Sequence, residues 1–450
     1  MEFSIIEQRK SELEKLVSSN ELDTVTRKLM DFVNDFSINR EKRKETINIK
    51  AKYNDLRAEF RQHGSTQSLE SRFTKLRNQI LDLIYEIEDE FNINITYQNE
   101  VENSFKNIKE ETKLSHFEQA REEFKKKKQT IILPQPTIDN IDVVFRGKEL
   151  TKVYIKSSID FSLKPIDIEL KYREITALVG ENGQGKTTIL NMIAGELLHS
   201  SGEICYPELV AKTTLDDYVE IKNQIAYITQ ELPKWRGSLK DTSHYTLSSR
   251  GILGKGNEEE VDFIIHRLSL EKYADATWKQ ISGGYKMRFS LARAILKKPK
   301  LLILDEPLAN LDINTQNLFL TDLRDIANSL KNPISVIISS QNLYEVEAIS
   351  DNIIFMSDGK ALYNGTIDKF GEDREENTFE VNLGVSKEKL LTVLESIAYI
   401  SVEKDGQNYL INTKKEVIDK NLLDCFLGQG LSVQYFRNIS KSTRKLFGRL

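Results

Sequence analysis

Two short segments hold residues whose types and spacing point to phosphate chemistry. Gly180-Glu-Asn-Gly-Gln-Gly-Lys-Thr-Thr188 fits the pattern G-x-x-x-x-G-K-[ST]. Gly180, Gly183 and Gly185, with Asn182 between them, let backbone N–H groups turn inward around phosphate oxygens. A helix directly after the loop adds the positive end of its dipole. Lys186 would then reach the β- and γ-phosphates of a nucleotide, the Thr187 hydroxyl would ligate Mg2+, and Thr188 would complete the cradle. The second segment, Leu301-Leu-Ile-Leu-Asp-Glu-Pro307, is an apolar run ending in two carboxylates. Asp305 would hold Mg2+ through water, and Glu306 would orient or deprotonate an attacking water. Strands often end in acids, so this segment gains its meaning from the phosphate loop upstream.

Such residues need a frame. The loop comes after the β-rich run Ile175–Val179 and precedes a helical stretch, Ile189–Ala194. Similar runs recur at Ile225–Thr229, Leu301–Leu304, Val336–Ser339 and Ile353–Met356, alternating with helical segments. The alternation predicts an α/β domain with a largely parallel sheet, extending to about residue 370.

Ile281-Ser-Gly-Gly-Tyr-Lys-Met-Arg288 lies shortly before the Asp305-Glu306 strand. It resembles the signature of ABC-class ATPases, usually Leu-Ser-Gly-Gly-Gln, and departs from it at Ile281 and Tyr285. The departures spare Ser282, Gly283 and Gly284, which can offer a hydroxyl and backbone amides to a γ-phosphate at a helix N-terminus. The resemblance covers about residues 138–370. It matches Gln230 to the family's Q-loop glutamine, which touches Mg2+, and Leu308-Ala-Asn-Leu-Asp312 to the D-loop, with Asp312 at a dimer interface. It matches Tyr154 to the aromatic that stacks on adenine, with Phe161 close enough to serve instead. It implies ATP and Mg2+ as cofactors, a phosphate-loop core with antiparallel β and helical subdomains, and a homodimer. Each ATP would lie between one chain's Lys186 loop and the other chain's Ser282.

One departure touches the chemistry. The family's histidine after the strand beyond the D-loop is replaced by Gln341, and His266 is the last histidine in the chain. A glutamine amide can bond a γ-phosphate but does not titrate. Two readings are open: Gln341 keeps the contact while Glu306 acts as base, or hydrolysis is slow and the protein is an ATP-gated clamp.

The flanks set what the ATPase could serve. Residues 1–92 are polar with apolar residues at helical spacing. Leu22, Val25, Leu29, Phe32, Val33 and Phe36 form one stripe; Phe73, Leu76, Ile80, Leu83, Ile84 and Ile87 form another. Gly64-Ser65 breaks the pattern, and Ser68 is placed to cap the second of the two striped helices. A helical bundle is expected there, then a charged helical connector over 93–137 that ends near Pro134 and Pro136. Lys125–Lys128 reads as a solvated helix end or as a membrane-surface or nucleic-acid patch. Ala51–Arg57 and Arg72–Ile84 resemble the effector-associated domains of bacterial conflict and signalling proteins, adaptors that bind a like domain. An unrelated bundle would show the same stripes.

Residues 371–450 read strand, helix, strand, strand, helix, strand, with helices Lys387–Ile397 and Val417–Leu427 and strands at Thr378, Ala398–Glu403, Tyr409–Thr413 and Leu431–Phe436. That order suits a small α+β unit of the split βαβ kind. With Ile353–Lys360, Tyr363–Gly365 and the Ser442-to-Phe447 ending, it resembles the C-terminal parts of exporter-type ATP-binding subunits. A net charge of −5 leaves no overall basic field for nucleic acid. Cys205 and Cys425 lie far apart and read as free thiols of a reducing compartment. No basic segment with an apolar stretch after it opens the chain, and no apolar run nears the ~18 residues of a membrane span. The expectation is a cytoplasmic protein at the inner face of the cell membrane, partnered by a permease subunit on a separate chain. The competing expectation is a soluble ATPase recruited through residues 1–92. One nucleotide domain without a long inserted coiled coil argues against chromosome-clamp and translation-factor relatives.

Overall fold

The computed structural model describes residues 2–37, 39–111, 142–154, 161–210, 217–309, 311–371 and 376–440. Lys125–Lys128, Pro134, Pro136, Asn310, the connector beyond Glu111 and the Ser442-to-Phe447 ending lie outside the described residues. The chain divides into two compact units. One holds Met1–Lys152, Pro165–Glu174 and Leu190–Ile337; the other holds Val153–Lys164, Ile175–Ile189 and Ile338–Leu450.

The first unit begins with α1 (Glu2–Ser18), α2 (Leu22–Phe36), α3 (Arg40–His63) and α4 (Gln67–Glu111). Both apolar stripes read from the sequence converge in one core with Ile49, Tyr53 and Leu56 of α3, and Phe73 packs at its edge. Gly64 ends α3 at φ 70°, its N–H bonded to the Phe60 carbonyl. Ser68 is not the cap of the next helix. Thr66 is, its hydroxyl accepting from Leu69 N at 3.2 Å, because a capping oxygen must reach an amide two or three residues on. Residue 92, where the bundle was expected to give way to a connector, falls inside α4.

The elements then run β1 (Val143–Val153), β2 (Ser162–Lys171), β3 (Ile175–Val179), α5 (Lys186–Ile193), β4 (Ser201–Cys205), α6 (Tyr218–Asn223) and β5 (Ile225–Ile228). Next come α7 (Leu239–Ser248), α8 (Gly254–Arg267), α9 (Gly283–Leu296), β6 (Leu301–Leu304), α10 (Ile313–Ala327) and β7 (Ser335–Ser340). After them lie α11 (Leu343–Val346), β8 (Asn352–Ser357) and β9 (Lys360–Thr366).

In the first unit β4 pairs antiparallel with β1. A Cβ on Gly202 would lie 2.5 Å from the Glu149 carbonyl, so only glycine fits that crossing. β5 and β6 pair in parallel from Ile225↔Leu301 to Ile228↔Leu304, and all four residues of β6 are buried. In the second unit β3 pairs parallel with β8, and β9 closes antiparallel on β8. Short, wholly buried strands such as β3 and β6 are of the kind found in a sheet covered on both faces.

The C-terminal part comprises β10 (Glu376–Asn382), α12 (Lys387–Val393), β11 (Tyr399–Asp405), β12 (Asn408–Lys414), α13 (Asp419–Gly428) and β13 (Tyr435–Asn438). Its sheet order is β11-β12-β10-β13, the split βαβ arrangement, with Leu390, Leu394, Leu422 and Phe426 packed on Phe379, Val381 and Ile411. The last strand starts four residues later than Leu431. Gly430, at φ 68°, and Leu431 still close the preceding helix, with Leu431 N bonded to Phe426 O at 3.0 Å. Among the described residues no helix is long and apolar enough to cross a membrane.

Candidate active site

In the second unit, β3 delivers the chain into the phosphate loop. Gly183 and Gly185 take φ 81° and 96°, a region open to glycine. A Cβ at Gly185 would sit 2.7 Å from Phe161 Cζ, so the loop lies directly on that ring. The helix after the loop begins at Lys186, earlier than Ile189, because Ile189 N already bonds to Gly185 O at 3.0 Å. Thr187 and Thr188 thereby fall in its first turn, where backbone N–H groups lack intrahelical partners. Lys186 is buried, and its Nζ donates to the carbonyls of Gly180 at 2.7 Å and Glu181 at 3.0 Å. The ammonium is thus stationed inside the loop that phosphate oxygens would enter.

The Tyr154 hydroxyl lies 3.1 Å from the Thr188 hydroxyl, and its ring is 39% exposed. Phe161 is engaged against Gly185, so of the two aromatics Tyr154 presents the more open ring. The Gln184 amide oxygen accepts from Asp358 N, a tether not anticipated from the sequence. Gln341 is exposed and stands one residue past Ser340, whose carbonyl accepts from Gly180 N at 3.2 Å. The structure therefore brings Gln341 alongside the start of the phosphate loop.

The remaining residues belong to the first unit. Asp305 is buried, and its N–H donates to Ile228 O at 2.9 Å, extending the β5–β6 ladder by one step. Gln230 lies two residues past Ile228, so it shares the carboxyl end of this strand pair with Asp305 and Glu306. Burial raises the Tyr227 phenol well above its ordinary pKa, and the charge of Asp305 adds to the shift. Glu306 has φ 48°, a left-handed conformation that costs a non-glycine residue about 1–2 kcal/mol. Strain of this kind clusters where a side chain must be aimed.

Ser282 is the N-cap residue of α9, exposed, with Gly283 and Gly284 in the first turn. A Cβ on Gly284 would lie 2.8 Å from Thr315 Cγ2. Thr315 N donates to Asp312 Oδ1 at 3.0 Å, and its hydroxyl donates to Oδ2 at 2.6 Å. The hydroxyl bond holds the Asp312 carboxyl below the usual carboxylate range. Thr315 thus joins Gly284 to Asp312, a link that motif spacing does not reveal. The two departures from the signature are absorbed by packing: Ile281 is buried, and the Tyr285 ring meets Tyr273 at 4.1 Å between centroids.

Thr187, Gln230 and Asp305 carry hydroxyl, amide and carboxylate oxygens, which are donor types that suit Mg2+. Among the described residues no three His, Cys, Asp or Glu side chains gather as a protein-only metal cage.

Residues 163–309 match the family model for the ABC transporter, and this is the stretch that contains the phosphate loop, signature and carboxylate strand. The chain carries an ABC ATPase domain. Residues 8–88 match effector-associated domain 11. The chain is 28% identical to the uncharacterized ABC transporter ATP-binding protein YxlF of Bacillus subtilis, over 64% of this chain and 93% of that protein. It is 32% identical to the Fe(3+) ions import ATP-binding protein FbpC of Photobacterium profundum, over 45% of this chain. The match spans 56% of that relative's length. A solved structure of cbiO1 from Clostridium perfringens, part of the ABC transporter complex cbiONQ, aligns with a TM-score of 0.47 and 25% identity. That alignment covers 52% of this chain and 92% of the other.

Proposed function

We propose that the chain binds and hydrolyses Mg·ATP as a head-to-tail dimer and powers a separate membrane permease. The carrying observation is the loop that holds Lys186 Nζ on its own carbonyls behind two left-handed glycines, a cradle for a triphosphate. Gly180, Asn182, Gly183, Gly185, Lys186 and Thr188 bind the phosphates, and Tyr154 stacks on adenine. Thr187, Asp305 and Gln230 would hold Mg2+, which would supply positive charge against the phosphates. Ser282, Gly283 and Gly284 close on the ATP of the partner chain, with Asp312 at the dimer seam. Glu306 takes a proton from the water whose oxygen attacks the γ-phosphorus, ADP leaves, and the Gln341 amide bonds the γ-phosphate. The domain boundaries that fit this division of labour are 1–92, 93–137, 138–370 and 371–450. The site of action is the cytoplasmic face of a membrane.

Relatives named for ATP-binding roles in ABC transporters support the permease reading. A second reading has its own support in the match at residues 8–88: a soluble ATPase recruited by a like adaptor domain on another protein. The test is affinity capture from membranes and cytosol with Glu306→Gln, which traps the ATP-bound dimer. Recovery of a multi-span membrane protein is expected. Recovery of soluble partners alone would overturn the permease reading in favour of the second.

A further inference from the structure

Asp322 lies midway along α10, fully buried, and three guanidinium groups converge on it. Arg288 of α9 reaches Oδ2 at 3.1 Å, Arg267 at the end of α8 reaches Oδ1 at 2.9 Å, and Arg27 of α2 stands 3.7 Å from Oδ1. Arg267 also bonds through Nε to Asp31 of α2 at 2.5 Å. Arg27, Arg267 and Arg288 are each less than one-tenth exposed. Burial works against the Arg267 charge, but Asp31, Asp322 and Asp325 outweigh it and raise its pKa. Two of the five charges, Arg27 and Asp31, come from the N-terminal bundle.

The docking around this hub is extensive. Asp35 of α2 accepts from Leu330 N at 3.0 Å and from the Ser329 hydroxyl at 2.8 Å, just past α10. Lys50 of α3 donates to His266 O at 2.6 Å and to the Ser269 hydroxyl at 2.7 Å, capping the C-terminus of α8. Buried ion pairs contribute little net stability, yet removing one partner leaves an uncompensated buried charge that is strongly destabilising. Such a hub therefore fixes geometry more than it adds stability.

That geometry leads to the ATP site. α9 starts with Ser282, Gly283 and Gly284, and α10 is capped by Asp312. The two helices are joined near their N-termini by the Gly284–Thr315 contact and further along by Arg288–Asp322. They form one body, and the bundle grips it through its midpoint.

We propose that Arg27 and Asp31 are positioning residues of the ATPase reaction: through Asp322 and Arg267 the bundle sets the pose of α9 and α10, and hence how well Ser282–Gly284 closes on ATP. This rests on the proposed action of Ser282 in trans. On this account the bundle is a part of the ATPase held against it, and anything that pulls α2 away loosens the dimer.

The experiment uses the full chain with Glu306→Gln and reads ATP-driven dimerisation by analytical ultracentrifugation. Fluorescent ADP binding to the monomer and thermal unfolding are measured in parallel. Arg27→Gln and Asp31→Asn should each raise the ATP concentration needed for half-dimerisation roughly 5- to 20-fold. ADP affinity of the monomer should stay within about twofold, since coupling acts on closure and not on the chain's own phosphate loop. Arg27→Lys should recover part of the loss. Asp31→Asn is isosteric and serves if Arg27→Gln does not fold. Variants that lower the melting temperature yet dimerise like the parent would overturn the proposal. Ser282→Arg is the separate control: if it dimerises normally, the trans-site reading itself fails, and the bundle's role in closure fails with it.

Discussion

The phosphate loop sets two glycines at positive φ, one buried lysine held on the loop's own carbonyls and two threonines in the first turn of the following helix. In the N-terminal bundle the decisive polar groups are long side chains, among them Arg9, Arg27, Asp31, Asp35 and Lys50, already engaged with the ends and midpoints of α8 and α10. The loop depends on Gly183 and Gly185, whose positive φ favours glycine. The bundle works through an apolar core that many sequences could build, plus a few charges that cannot be moved. A bundle that matches an effector-associated domain is thus packed through these charges on helices of the ATPase domain.

The contrast can be broken at several points. Glu306→Gln should reduce ATP turnover about 10²- to 10⁴-fold while leaving nucleotide binding and unfolding unchanged. A steady-state rate near the parent's would remove Glu306 from the base role and favour the slow-clamp reading attached to Gln341. Next in size is the fully buried Leu29 of α2. Leu29→Ala should destabilise the bundle by about 2–5 kcal/mol in urea, with ADP affinity of the phosphate loop intact. Loss of ADP binding would show that the two regions are not separable.

A third probe is pH. Burial lowers Lys50 from 10.5 to about 8, against the opposing pull of Glu271. The unfolded chain then binds this proton more tightly than the folded one between those values, so folding stability rises with pH across that window. Below it the full cost of the buried charge is present. Relative to Lys50→Met, the parent should gain up to about 3 kcal/mol between pH values near 8 and near 10.5. Parallel stability curves would mean that Lys50 is solvated. The smallest expected effect sharpens the ATPase side. Gly284→Ala drives a methyl into Thr315 and should slow turnover about tenfold, and adding Thr315→Ser, which removes that methyl and keeps the hydroxyl, should restore much of it. Failure of the second change to help would show that the contact is not the cause.

The loop, the carboxylate strand and the signature were legible because their chemistry fixes residue identity at fixed spacing. The stripes of α2 and α4 were legible because a helix repeats every 3.6 residues. Neither signal could find the hub. Arg27 and Asp31 are spaced i, i+4 and look like an exposed pair on a solvated face, and Arg267, Arg288 and Asp322 are scattered over some fifty residues. Only the folded chain shows that all five meet. The cap at Thr66 and the late start of β13 were misplaced for a local reason: hydrogen bonds that end one element claim residues that pattern assigns to the next.

The hub also carries a consequence for ancestry. Arg267 sits buried between Asp322 and an acid contributed from more than two hundred residues upstream. If the bundle were lost by gene truncation, or exchanged for another by recombination, that guanidinium would face its surroundings with half its counter-charge gone. Lineages of this ATPase without the bundle should therefore carry a neutral residue at position 267, and those that keep it should inherit Asp31 and Arg267 together.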